Sequence, residues 1–180
     1  VTQVSRLAQL KGHEYILDAA GRIENPRVCF CFVGDGRLRS RIESEIARRG
    51  LSARFRLTGL LPPTQMPAVM HATDVLVHCS LREGLARALP QAMLAGRPAV
   101  SFDVDGAREV VDSETGFLVA PGDVNALRDA IAALAGSAEL RERLGDAGRR
   151  RCREMFDHVR MVDQIETLYR RLCREGEDGP

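Results

Sequence analysis

Val28-Cys29-Phe30-Cys31-Phe32-Val33-Gly34-Asp35-Gly36 is the stretch that decides the fold. Residues 28 to 33 are apolar without interruption, where a half-exposed strand would alternate. A strand over residues 27–33 must therefore be covered on both faces. Gly34-Asp35-Gly36 then turns the chain. Residues 37 to 49 follow with a helical pattern that Gly50 ends from the C′ position. A doubly covered strand feeding a helix is the unit of a parallel α/β sheet.

The same alternation extends in both directions. Val1 to Ser5 reads as an earlier strand. Ile16, Leu17, Ala20 and Ile23 place a helix over residues 14–24. Further strands are expected over 54–58, 74–79, 99–103 and 116–119. The helices between them are expected over 65–71, 87–95 and 108–111, with Gly96 and Pro98 as stop signals for the second. From Asp123 the pattern is helical only, over 123–135, 138–154 and 158–173, with Asp123 and Ser137 as N-caps. Residues 176–180 are expected to be a disordered tail. The fold class is α/β, a Rossmann-like doubly wound parallel sheet of about six strands with C-terminal helices.

The 180 residues suffice for one domain, 1–175. The start lacks Met and reads directly as a strand, so a piece of a longer chain is expected. The formal net charge of +1 argues against a dedicated nucleic-acid binder. No apolar run approaches the ~20 residues of a membrane-spanning helix. No basic segment with a cleavage site opens the chain, and a cytoplasmic location is expected. The five cysteines are odd in number and form no framework. Cys29 and Cys31 are expected to be buried reduced thiols. Neither the cysteines nor the four histidines have metal-ligand spacing, and no metal is expected.

In doubly wound sheets, ligands bind beyond the C-terminal strand ends. Several phosphate-binding loops are absent. Gly34-Asp35-Gly36-Arg37-Leu38-Arg39 has two glycines and an Arg where a dinucleotide fingerprint has its third. There is neither a P-loop nor a Gly-x-Ser-x-Gly elbow. The richest loop is Ser80-Leu81-Arg82-Glu83-Gly84-Leu85-Ala86-Arg87-Ala88-Leu89-Pro90-Gln91. A Gly-containing loop opening a helix offers free N–H groups to a diphosphate, and Glu83 offers a carboxylate to hydroxyls. The competing reading is that Ser80 and Glu83 form a capping box.

The chain resembles the C-terminal, donor-binding domain of GT-B fold retaining glycosyltransferases of family four. The motifs are Ser5-Arg6-Leu7 with Lys11-Gly12; Val33-Gly34-Asp35-Gly36; Thr58-Gly59; Ala72-Thr73-Asp74-Val75; Ser80 through Gly96; and Gly116 through Asp123. The resemblance covers about residues 3 to 160. It implies that Arg6 and Lys11 contact the diphosphate of a UDP-, GDP- or ADP-sugar and that Glu83 sits at the donor sugar. It also implies that the N–H groups of Gly84, Leu85 and Ala86, beside Arg87, face the phosphates. Leu61 would meet the base through its backbone, and Ser80 would shape the loop.

Two positions depart from the family pattern. Gln91 stands where a second Glu usually binds the ribose, and Ala86 stands where many members have Gly. No metal or other cofactor is implied, and the acceptor would bind an N-terminal domain absent from this sequence. Polysaccharide or lipopolysaccharide biosynthesis is the implied setting. Asp103-Val104-Asp105 is a pattern that holds metal in nucleotide-sugar enzymes of another fold, but Gly106 after it makes a turn. A non-catalytic nucleotide-sugar-binding module and a GT-B-like sugar epimerase remain alternatives. The basic stretches Arg149-Arg150-Arg151 and Arg170-Arg171 admit peripheral membrane contact in the full-length protein, against solvated helix faces as the simpler reading.

Overall fold

The structure is a computed structural model describing residues 1–177, with side chains through residue 174. Six strands form one parallel sheet: β1 (Thr2–Val4), β2 (Phe30–Val33), β3 (Phe55–Gly59), β4 (Leu76–His78), β5 (Ala99–Phe102) and β6 (Gly116–Val119). Their order is β3-β2-β1-β4-β5-β6. The chain winds outward from β1 to β3, then returns to lay β4 against the other side of β1. The switch point of the sheet therefore lies between β1 and β4.

The helices are α1 (His13–Gly21), α2 (Arg39–Arg48), α3 (Met66–Ala72), α4 (Ala88–Leu94), α5 (Ala107–Val110), α6 (Val124–Gly136), α7 (Ala138–Met155) and α8 (His158–Glu177). The helices α1 to α7 divide over the two faces of the sheet, the described side chains of α8 are all exposed, and alternate strand residues serve each face. Val75, Val77 and Cys79 join the cluster under α1, α2 and α6. Leu76, between them, joins the cluster under α3, α4 and α5. That period of two explains why the central strands are apolar throughout. On α6, Leu127, Ile131 and Leu134 are fully buried at helical spacing, each contributing roughly 1.5–3 kcal/mol by burial.

The expected caps form. Asp123 accepts the N–H of Ala126 at 2.9 Å and Ser137 that of Leu140 at 3.1 Å. Gly50 follows α2 with φ +68°. Two expectations change. β2 begins at Phe30, so Cys29 is exposed and Cys31 half-buried rather than both being buried. Residues 176 and 177 close α8 instead of fraying, and the rest of the expected tail, 178–180, lies outside the described residues.

Two of the basic residues at 149–151 have structural partners. Arg149 donates to the Ala95 carbonyl at 3.2 Å, and Arg151 pairs with Asp112 at 2.7 Å. Among the described residues no helix is long and apolar enough to cross a membrane. α8 carries Val162, Ile165, Leu168 and Leu172 as an exposed apolar stripe.

Candidate functional site: a cleft at the switch point

The loops leaving β1 and β4 face each other, and close backbone contacts fix both. Ser5 donates its N–H to Val33 at 3.0 Å, Leu7 to Asp35 at 2.9 Å, and Leu38 to Leu7 at 3.0 Å. This clamp requires Gly34, whose φ is +134° and whose added Cβ would stand 2.1 Å from the Ser5 carbonyl oxygen. The clamped segment presents Arg6, which is exposed. Further on, Leu81 donates its N–H to Leu10 at 2.8 Å. Gly12, at φ +68°, lies so close to β4 that a Cβ would stand 2.0 Å from the Cys79 carbonyl oxygen. The two loops are thereby joined, and Lys11 reaches Glu83. Lys11 Nζ and Glu83 Oε2 form a short, partly buried ion pair.

Arg6, Lys11, Leu61, Glu83, Ala86, Arg87 and Gln91 line one cleft of about 420 Å³. Sequence positions spread over 86 residues thus converge on the switch point. Ser80, Gly84 and Leu85 do not line it. Ser80 is fully buried, whereas Gly84 and Leu85 are exposed. The capping-box reading fails, because α4 starts at Ala88 behind Arg87 and has no side-chain cap. Glu83 is instead engaged by Lys11.

The sequence reading missed two contributors. His78, the last residue of β4, is buried in the cleft floor, with Nε2 3.8 Å from Glu83 Oε2. Asp105, at φ +45°, accepts the Glu83 N–H at 2.6 Å, while Gly106 donates to the Gly84 carbonyl at 3.2 Å. The loop after β5 thus braces the loop after β4. Asp103 instead accepts a two-pronged pair of hydrogen bonds from Arg108. Among the described residues no group of three or more His, Cys, Asp or Glu is placed to hold a metal.

Burial opposes ionisation of Glu83, but the Lys11 ammonium outweighs it. With help from His78, it holds the carboxyl below the ordinary carboxylate range. Burial pushes His78 down to about 4, with Glu83 pulling the other way and Lys11 adding to the fall. His13, at the start of α1 with Nε2 3.2 Å from Ser5 Oγ, is likewise lowered to about 4 by burial and then by Lys11. At neutral pH the cleft therefore holds a charged Lys–Glu pair beside an uncharged imidazole.

Strand order and cleft position define the class: a doubly wound α/β domain with a cleft at its switch point, lined by Arg6, Lys11, Glu83 and Arg87. The model for glycosyl transferases group 1 matches residues 1–151, and the chain belongs to that family. It is 40% identical to 2-deoxystreptamine glucosyltransferase of Streptomyces kanamyceticus over 67% of this chain and 32% of that protein. It is 31% identical to α-D-kanosaminyltransferase of the same organism over 96% of this chain and 45% of that protein. Among solved structures, Anabaena HepE in complex with UDP-glucose superposes with a TM-score of 0.86 at 30% identity, over 93% of this chain and 48% of that one. The chain thus spans about a third to a half of the length of these relatives.

Proposed function

We propose that this chain is the donor-binding half of a retaining glycosyltransferase. It holds a nucleoside diphosphate sugar in the switch-point cleft. In the full-length protein, the sugar passes to an acceptor hydroxyl with its anomeric configuration kept. The observation that carries this reading is the convergence of Arg6, Lys11 and Glu83 on one cleft. The UDP-glucose complex of the HepE relative supports it.

Breaking the bond from the sugar to the diphosphate leaves negative charge on the departing oxygen. Fixed cations at that position lower the barrier. Arg6 forks onto two phosphate oxygens, and Lys11 supplies a point charge. Glu83 accepts hydrogen bonds from the sugar hydroxyls, and Gln91 contacts the ribose through an uncharged amide. The base lies against the backbone at Leu61. These cations replace a metal ion in this reading, so binding is unaffected by EDTA. The acceptor, a carbohydrate or aminocyclitol hydroxyl, is brought by a separate N-terminal domain of a cytoplasmic enzyme. The name of the 2-deoxystreptamine glucosyltransferase relative supports that acceptor class.

Calorimetric titration of the chain with UDP, GDP and ADP tests the reading. One-to-one binding of at least one is expected. A folded sample that binds none contradicts it.

A further inference from the structure

Glu83 Oε2 has two nitrogen neighbours, and only one of them is bonded to it. Lys11 Nζ holds the oxygen, while His78 Nε2 stands 3.8 Å away, beyond hydrogen-bond range. The His78 side chain is 6% exposed, and its Nε2 is buried without any hydrogen-bond partner. Buried polar atoms are nearly always paired, so an orphan aimed into a cleft calls for a partner that arrives later. The flanking Val77 and Cys79 belong to one apolar cluster and Leu76 to the other.

Lys11 is shared between two demands. In this structure it neutralises Glu83. A diphosphate beside it carries more negative charge than one carboxylate and draws the flexible lysine stem toward itself. Glu83 would then lose its partner at the moment its carboxylate must hold a sugar hydroxyl.

We propose that His78 is a positioning residue for Glu83. When the donor diphosphate draws Lys11 away, the His78 Nε2–H takes Lys11's place on Glu83 Oε2 and holds the carboxylate against the sugar. A movement of about 1 Å closes the gap to hydrogen-bond length. The rigid end of β4 fixes the ring, so the carboxylate comes to it. The charged groups facing the ring are Lys11 and Glu83, and burial keeps the ring neutral at pH 7 with one N–H to give. The carboxylate, an acceptor only, selects the tautomer with that proton on Nε2.

This inference rests on the donor-binding reading, and the test separates the two. The chain and its His78→Leu and His78→Gln variants are titrated by calorimetry with UDP and with UDP-glucose. The expected result is a loss of about ten-fold in UDP-glucose affinity for His78→Leu, the size of one hydrogen bond to a charged group. UDP affinity stays within about two-fold, and His78→Gln recovers most of the loss. Equal losses for both ligands, or no loss for either, overturn the role of His78. A wild-type chain that binds none of UDP, GDP, ADP or their glucose esters overturns the donor-binding reading itself.

A second readout needs no variant. Nitrogen-15 spectra of the His78 ring in the wild-type chain should show the Nε2–H tautomer, with its signal moving on addition of UDP-glucose. A ring signal unmoved by bound UDP-glucose also overturns the proposal.

Discussion

Asp105 Oδ2 accepts the backbone N–H of Glu83 at 2.6 Å, tying the loop after β5 to the loop that carries the central carboxylate. Asp105 holds φ +45°, a conformation most side chains avoid, and the bond compensates for it. Asp105→Ala should free the Glu83 loop and weaken nucleotide-sugar binding about ten-fold, the scale of one charge-assisted hydrogen bond. Asp105→Asn keeps an acceptor oxygen and should stay near wild type. Calorimetric titration of both variants with UDP-glucose checks the pair.

Gly12 joins the two loops at their closest approach. An alanine there needs a left-handed backbone and drives its Cβ to 2.0 Å from the Cys79 carbonyl oxygen. Gly12→Ala should destabilise the chain by about 3 kcal/mol or more, since both strain and overlap act on a fixed main-chain atom. Urea unfolding measures it.

Gln91 lines the cleft and is exposed. Gln91→Glu restores the charge that the resembled family carries at this position. A carboxylate accepts hydroxyl protons more strongly than an amide does, so UDP binding should tighten by roughly three- to ten-fold. Calorimetric titration of Gln91→Glu with UDP measures the gain.

Acid should weaken the fold before the carboxylates titrate. His13 and His78 take protons near 6.5 when unfolded but only near 4 when folded, because both are buried. The unfolded chain therefore binds more protons in this range. The contribution of the two rings is fully present above about pH 6.5 and drains away as the pH falls toward 4. Glu83, depressed by Lys11, adds a loss only below its ordinary range. Urea unfolding at pH 7 and pH 5 should differ by roughly 2–4 kcal/mol, from two groups losing up to about 1.4 kcal/mol per pH unit each.

Much of the fold was legible because the informative residues are adjacent in sequence. The run Val28 to Val33 shows a strand, of which Val28, Phe30 and Phe32 bury one face while Cys29 and Cys31 leave the other only partly covered, and Asp123 and Ser137 mark helix starts that the structure reproduces. What stayed hidden depends on long-range partners. Arg151 reads as a solvated charge until Asp112, 39 positions away, comes to lie beside it. His78 looks like an ordinary strand-end polar residue, because nothing in a strand pattern says that Glu83 will stand 3.8 Å from its ring. Asp103-Val104-Asp105 offered only a weak metal pattern, whereas its work is done one residue at a time, by Asp103 on Arg108 and Asp105 on Glu83. The exposure of Cys29 is not legible because the apolar run gives no sign of where the sheet begins.

Lys11 is the one lysine in a chain whose other basic residues are all Arg, and it sits on Glu83 at the mouth of the cleft. The most direct measurement compares UDP, GDP and ADP binding to the wild-type chain and to Lys11→Ala by calorimetry. The account predicts one-to-one binding of at least one nucleotide, weakened about ten-fold or more by Lys11→Ala, as expected for the loss of one charge-assisted phosphate contact. The variant should unfold at an unchanged or slightly lower temperature. Equal affinity of the two proteins for every nucleotide that binds, or no binding to the folded wild-type chain, would contradict it.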